Sequence, residues 1–413
     1  MLSHEEMNDL STDRTPTKIF NAQYLILFFS NMIVSIGYPM VSSTMALYLT
    51  DIGYTKAIAG VVIGIMSIAS LCIRPFTGLL SDSVSRKKLM ILSNIGITIA
   101  MVGYSITSSI PALSVFRVIH GVSFSISTTT SMALIASTLP KDKMGQGLGY
   151  FAASQFVGGA FAPSLGIWMG QAIGYKLTFV ISGVIVGLSA LLMMMLHTEE
   201  ELNGSIAEKW NEIRKTPLRK LPSFFFAKEV IMYAVIAGSL SATKGIEHNF
   251  IPLDGKSLGI ENIGWYFTIG SFATLAARLF FGKLGDKYGF IKVLCGCTAM
   301  IVCAYLLLIF AGTGPTVVFL ACAAAFKALG NGIVQPAVQA TSLRSVSVER
   351  RGKASSTYYL GCDIGQSLAP ILGGVAIDLV GYRSMFAFAI IPLVTCTVLY
   401  VLFSSSFSNN KAE

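Results

Sequence analysis

Charged residues are scarce in this sequence: only 12% of its 413 residues are Asp, Glu, Lys or Arg, whereas 53% are hydrophobic. The mean hydropathy is +0.68. A soluble protein of this composition would expose large apolar patches and aggregate. The scarcity of charge therefore excludes an ordinary soluble globular protein and indicates a chain whose apolar surface faces lipid.

Signatures of enzymes and of metal sites are also missing. The sequence has no GxxxxGK[ST] phosphate-binding loop, no HExxH motif and no Cys/His spacing typical of zinc. Its seven cysteines form no CxxC pair and lie in apolar runs, where they are interpreted as small buried hydrophobic residues. We therefore expect no enzymatic activity, no metal, no cofactor and no direct use of ATP.

Long apolar runs separated by short polar loops fill most of the chain. One membrane crossing by a helix takes about 20 apolar residues, and these runs lack the two-residue alternation of a transmembrane barrel. The predicted fold class is an all-α integral membrane protein with twelve transmembrane helices in two pseudo-symmetric six-helix bundles. The predicted helices are 21–49, 56–80, 88–107, 111–137, 145–172, 175–196, 228–252, 259–281, 289–311, 315–342, 352–379 and 382–404.

The longest polar stretch divides the chain near its middle, and residues at helical spacing within it predict an amphipathic helix on the membrane surface. The first apolar run is too long for a cleaved signal peptide. The predicted domains are an N-terminal tail 1–20, an N-terminal bundle 21–196, a cytoplasmic linker 197–227, a C-terminal bundle 228–404 and a C-terminal tail 405–413.

Basic residues are distributed unevenly between the loops. The net charge is +9, and most of the 30 Lys and Arg lie in the termini and in alternate loops, whereas the other loops contain only Lys56, Lys176, Lys256 and Arg383. This asymmetry follows the positive-inside rule and is not the pattern of a nucleic-acid-binding protein. We expect a monomer in the plasma (inner) membrane, surrounded by lipid, with both termini in the cytoplasm and no nucleic-acid partner.

Two segments of the first half recur in the second half at nearly constant distances. GLLSDSVSRKK at 78–88 is matched by GKLGDKYGFIK at 282–292, 204 residues later. GGAFAPSLG at 158–166 is matched by GQSLAPILG at 365–373, 207 residues later. The near-constant register predicts an internal duplication of a six-helix unit.

These repeated segments resemble motifs of the major facilitator superfamily, whose loop between the second and third helices follows G-x-L-a-D-r-x-G-r-k. The matching residues are Gly78, Leu80, Asp82, Arg86 and Lys87 in the first copy, with Ser85 replacing the usual Gly, and Gly282, Leu284, Asp286 and Gly289 in the second, with Phe290 in the Arg position. The resemblance covers nearly the whole chain. It implies two bundles that rock about a substrate site near the midplane.

Two further motifs extend the resemblance, and the second is typical of one group within the superfamily. Arg117 and Gly121 match an R-x-x-x-G pattern of the family's fourth helix. The segment 158–166 matches most of the Gly/Pro motif of drug:proton antiporters, although Ala162 and Ile167 replace two of its glycines. The resemblance implies that Gly158, Pro163, Gly166, Gly365, Pro370 and Gly373 form helix bends that limit proton leak. The alternative is that these small residues serve packing alone.

The resemblance also implies a gate on the cytoplasmic side. Asp82 would lie near the start of a later helix, around Gly352, where the partial positive charge of the helix end stabilises a carboxylate. The alternative is a solvated charged loop that only sets orientation. The predicted gate residues are Gly78, Asp82, Arg86, Lys87, Gly282 and Asp286.

Ionisable residues inside apolar runs are costly and are usually functional. At about 1.5 Å per residue, Asp363 lies roughly 18 Å into its helix, near the midplane. It is the first proton-coupling candidate, followed by Glu247 and His248; a fixed salt bridge to Lys327 is the alternative. The candidates for the substrate cavity are Arg117, His120, Lys244, Glu247, His248, Lys327, Tyr38 and Tyr358.

Lys244, Glu247 and His248 are spaced so that they share one helix face. They suggest a site for a polar or charged substrate, or a satisfied polar cluster. Arg74 and Arg278 occupy equivalent positions in the two halves, and we interpret them as structural or snorkelling residues.

The leading functional hypothesis is proton-coupled export of a small organic molecule or drug, with the proton gradient as the energy source. A transporter of a polar or zwitterionic metabolite, such as an opine-like, amino-acid-like or sugar compound, is the alternative. A membrane sensor or scaffold that transports nothing is the alternative from another class.

The predicted gate can be tested by Asp82→Asn. Transport should fall while membrane insertion is retained, because the substitution removes a helix-end interaction worth about 0.3–1 kcal/mol. The measurements are flux in proteoliposomes and membrane-fraction abundance. Glu199→Gln in the predicted linker is the matched control, and unchanged transport by Asp82→Asn would leave only the solvated-loop interpretation.

Overall fold

A computed structural model describes residues 19–140, 143–196, 227–281, 284–347 and 350–409. The chain forms long helices throughout these ranges. They are α1 Ala22–Asp51, α2 Lys56–Ser83, α3 Arg86–Ile106, α4 Ile110–Ser137, α5 Met144–Ile173, α6 Tyr175–Met194, α7 Ile231–Ser257, α8 Gly264–Phe281, α9 Phe290–Phe310, α10 Thr316–Arg344 and α11 Arg351–Asn409. A 3₁₀ turn, Lys228–Val230, precedes α7, and a short helix, Leu284–Tyr288, precedes α9.

The last helix, α11, is two helical segments joined at Gly381. Its φ of 81° and ψ of 174° are not helical, and a backbone conformation with positive φ is readily adopted only by glycine. The break separates the segments that the sequence predicts as 352–379 and 382–404. Eight of the described helices, with α11 taken as one, are long and apolar enough to cross a membrane, so the number of twelve crossings stays a prediction.

Helix contacts divide the described chain into an N-terminal half, α1–α6, and a C-terminal half, α7–α11. In the first half α1 packs on α5 and α6, and α4 packs on α2 and α3; in the second, α7 packs on α11, and α10 packs on α8 and α9. Three helix pairs join the halves, namely α2 with α11, α5 with α8 and α1 with α7. These pairs form the contact between the two halves.

Glycines at the predicted motif positions allow close packing within each half. A Cβ at Gly158 would lie 2.0 Å from a backbone oxygen of α1, and a Cβ at Gly365 would lie 2.0 Å from a backbone oxygen of α7. Helices α5 and α11 continue without interruption through Pro163 and Pro370. These contacts support the packing interpretation of the motif.

Several predictions concern residues outside the described ranges. Residues 405–409 of the predicted C-terminal tail are described and continue α11. The amphipathic helix of the linker falls within 197–226, most of the N-terminal tail falls within 1–18, and the end of the C-terminal tail falls within 410–413. The structure gives no test of them.

The close approach of α5 to α1 can be tested by Gly158→Ala. The added methyl group would overlap backbone, and overpacking of this kind costs about 1–3 kcal/mol. We expect a lower thermal unfolding midpoint of the purified protein. Gly296→Ala is the matched control, because a Cβ at Gly296 meets no atom within 4 Å. Equal midpoints for the two variants would contradict the packing role.

Candidate functional site between the two halves

An ion pair between Arg74 of α2 and Asp363 of α11 joins the two halves. The Arg74 Nε contacts Asp363 Oδ2, and the Arg74 Nη2 donates a hydrogen bond to Asp363 Oδ1 at 3.2 Å. The two side chains are only 19% and 15% exposed. The Asp363 carboxylate therefore lies at the contact between the bundles.

This geometry bears on two interpretations of the sequence. Asp363 forms the salt bridge that is the alternative to a proton-carrying role, but its partner is Arg74 and not Lys327. Arg74 has a carboxylate partner across the interface, which fits the structural interpretation and not snorkelling. Its guanidinium also lies 6.0 Å from the ring centre of Tyr359.

A second buried ion pair lies within the C-terminal half. Lys327 of α10 pairs its Nζ with the Glu247 Oε2 of α7, and these side chains are 6% and 13% exposed. Because each ion compensates the other, the pair fixes α10 against α7. Lys327 and Glu247 are therefore brought together, as their candidate roles in one cavity require.

His248 and Lys244 lie on the same face of α7 as Glu247. The His248 Nε2 is 2.7 Å from Ser42 Oγ of α1, and the imidazole packs edge-on against Phe267 of α8, with ring centres 5.3 Å apart. Lys244 is exposed. This face of α7 thus turns toward α1, α8 and α10, which is the interior between the halves.

The N-terminal candidates form a separate cluster of buried aromatic and basic side chains. Arg117 is 2% exposed, and its guanidinium lies 5.0 Å from the ring centre of Tyr104. Tyr104 Oη is 2.9 Å from His120 Nδ1, while the Tyr38 ring packs edge-on against the His120 ring at 5.8 Å. Among the described side chains, Arg117 has no carboxylate partner.

Tyr358 is packed within the C-terminal half. Its ring is 1% exposed, and its hydroxyl donates to the Gln335 carbonyl oxygen at 3.4 Å. The structure therefore gives Tyr358 a buried packing position.

The halves also meet where α2 begins and where the first segment of α11 ends. This side of the protein lies away from the basic loop at 86–88, and we call it the opposite side. The Asp378 carboxylate accepts hydrogen bonds from the backbone nitrogens of Lys56 at 3.3 Å and Ala57 at 2.7 Å. Lys256 Nζ contacts Asp51 Oδ1 at 2.6 Å. Residues from both halves therefore hold the opposite side closed.

Only two of the predicted gate residues have described side chains. The Arg86 Nε donates to the Ser81 carbonyl oxygen at 3.1 Å, and the Lys87 Nζ donates to the Met194 carbonyl oxygen at 2.8 Å. Both contacts lie within the N-terminal half. The other predicted gate residues, Gly78, Asp82, Gly282 and Asp286, fall outside the described residues or side chains, so the gate stays a prediction.

The model of the Major Facilitator Superfamily matches residues 27–261 and 245–412 of this chain. The chain belongs to the major facilitator superfamily. It is therefore a multi-pass membrane protein of a transporter family.

Named relatives of this superfamily member include efflux proteins. The chain is 22% identical to the quinolone resistance protein NorA of Staphylococcus aureus, over 87% of this chain and 90% of that one. It is 25% identical to the multi-drug resistance efflux pump PmrA homolog of Lactococcus lactis, over 90% and 92%. An uncharacterized MFS-type transporter of Methanocaldococcus jannaschii is 21% identical, over 91% and 97%.

Solved structures support the superfamily fold. A bacterial homolog of the human lysosomal transporter Spinster, in an inward-facing conformation, has a TM-score of 0.74 at 16% identity and covers 94% of this chain and 97% of its own. The nucleoside transporter NupG has a TM-score of 0.72 at 12% identity, with 92% and 99% covered. These similarities concern the fold alone.

Sequence reasoning missed the partnership of Arg74 with Asp363. The available signal was chemical, because a carboxylate and a guanidinium inside apolar runs each require a partner. Because the two residues are 289 positions apart, the sequence does not show that they are partners.

The Lys327–Glu247 pair can be tested by a double-mutant cycle. Lys327→Met alone should destabilise the protein by about 3–5 kcal/mol, because it leaves Glu247 buried without its counterion. The double variant Lys327→Met/Glu247→Gln should recover most of that loss. Thermal unfolding of the purified variants is the measurement, and strictly additive effects would contradict the coupling.

Proposed function

We propose that this chain is a twelve-helix secondary active transporter that exports a small organic molecule, such as a drug, across the plasma membrane in exchange for protons. The Arg74–Asp363 ion pair is the observation on which this proposal rests, because it joins the two halves at a titratable carboxylate. The efflux relatives support the direction of transport.

Protonation of Asp363 would couple a proton to movement of the halves. While Asp363 is ionised, its attraction to Arg74 favours contact of α2 with α11. A bound proton removes the charge, weakens that attraction and leaves Arg74 with an unbalanced charge, so separation of the two helices becomes less costly. Proton binding and the conformational equilibrium are then linked through one interaction free energy.

The contacts on the opposite side meet one requirement of a state that loads substrate from the cytoplasm, which is that the other entrance is closed. The basic loops are assigned to the cytoplasm by the positive-inside rule, with both termini on the same side. The contacts of Asp378 and of the Lys256–Asp51 pair close the opposite side. An exporter takes up its substrate in such a conformation.

Transport of a polar or zwitterionic metabolite is the second candidate. It is favoured by one face of α7, where the exposed Lys244 lies beside the buried Lys327–Glu247 pair and His248 contacts Ser42. A site for purely apolar molecules would have no use for such costly charges. Membership of a transporter family disfavours the sensor or scaffold alternative.

Asp363→Asn tests the proton-coupling proposal. In proteoliposomes with an imposed pH gradient, the variant should lose gradient-driven substrate flux while retaining exchange of substrate in the absence of a gradient. Asn preserves the shape of the side chain, but its carboxamide cannot bind and release a proton as the Asp363 carboxylate can.

Glu229→Gln is the matched control. Glu229 forms a bidentate ion pair with Arg350 at 2.8 and 3.0 Å, and this hydrogen bonding holds the pKa of the Glu229 carboxyl below its ordinary value. Both residues belong to the C-terminal half and lie outside its interior, so coupling should survive. Coupled flux by Asp363→Asn at the control level would contradict the assignment.

A further inference from the structure

The ionisable residues that lie within the predicted membrane-crossing runs include more cations than carboxylates. Two carboxylates, Glu247 and Asp363, are present, and each is already paired. The cations are Arg74, Arg117, Lys244, Arg278 and Lys327. The nearby carboxylate of Asp254 does not alter this balance, because it pairs with Arg383 at 3.2 Å near the opposite side.

Three of these cations remain without a carboxylate partner among the described side chains. Arg117 stacks on Tyr104, and its Nε and Nη2 find no hydrogen-bond partner. The Arg278 guanidinium lies 4.7 Å from the ring centre of Phe156. Lys244 makes neither a hydrogen bond nor an ion pair with any residue that the structure describes.

The surplus is concentrated around Lys244. It is close enough to Arg278 and Lys327 for their charges to repel one another, and only Lys327 has a carboxylate to offset its charge. An unbalanced cation inside a membrane protein is costly and is usually retained for function. Because Lys244 is exposed, its ammonium is accessible to a ligand anion.

Aromatic rings flank the same cations. Phe156 of α5 lies beneath Arg278, and Phe267 of α8 packs against His248 beside Lys244. These rings come from both halves, so a ligand between them contacts both bundles. The surroundings combine positive charge with flat apolar surface.

We propose that Lys244 and Arg278 form an anion-binding subsite, and that the transported molecule is an organic anion carrying a carboxylate or phosphate group next to an apolar or aromatic body. This inference rests on the proposed transport function and specifies its substrate class. The ammonium and the guanidinium would each donate charge-assisted hydrogen bonds to the anionic group.

Three probes of one shape and different charge test the subsite: 1-naphthoate, neutral 1-naphthamide and cationic 1-naphthylmethylammonium. Binding to the purified full chain is measured by calorimetry. The naphthoate should bind at least about tenfold more tightly than the amide, and the ammonium should bind most weakly, since one charge-assisted contact accounts for a factor of about ten or more.

Variants then assign the selectivity to Lys244. Lys244→Gln should weaken naphthoate binding about tenfold while leaving amide binding unchanged, and Lys244→Arg should restore naphthoate binding. Lys176→Gln, the same change at an exposed lysine of α6, is the matched control. A variant with a merely structural defect would lose both probes.

The results separate this inference from the proposed function. Equal binding of the three probes, preference for the ammonium, no binding of any probe or naphthoate binding indifferent to Lys244→Gln would each overturn the anion subsite. Gradient-driven efflux of a cationic dye in proteoliposomes would in that case still uphold the transporter proposal. Failure of all gradient-driven flux, despite selective naphthoate binding, would instead overturn the transport proposal and leave the subsite.

Discussion

The ion pair between Arg74 and Asp363 is the interaction on which the arrangement of the two halves depends. A carboxylate and a guanidinium removed from water lose several kcal/mol of hydration each, and only their mutual attraction offsets this loss. Here the two ions belong to different bundles. Their compensation therefore exists only while α2 and α11 are in contact, which makes the interface itself sensitive to the charge state of one side chain.

Small residues make this contact possible. A Cβ at Gly60 would lie 2.1 Å from the Pro370 carbonyl oxygen, and one at Gly374 would lie 2.2 Å from the Lys56 carbonyl oxygen. Helices in lipid gain little from burial of apolar side chains and associate instead through close packing and polar contacts. The glycines bring the backbones together on the opposite side, and the ion pair joins the same two helices nearer the centre.

The two ion pairs and the unpaired cations differ in the helices that they connect. Arg74 with Asp363 connects the halves, whereas Lys327 with Glu247 fixes two helices of one half. Lys244, next to the second pair, is exposed. Our two proposals accordingly place energy coupling at Asp363 and substrate recognition at Lys244.

The sequence alone determined the class of the protein and where its costly residues lie. Composition requires lipid as the solvent for apolar surface, the repeated motifs indicate the superfamily, and helical spacing places Lys244, Glu247 and His248 on one face. Only the tertiary structure decided the partners and the burial: Asp363 pairs with Arg74, Lys327 pairs with Glu247, and Tyr358 is buried. Periodicity specifies which way a side chain points from its own helix, but ion pairing depends on which helices become neighbours, and that is set by packing over the whole chain.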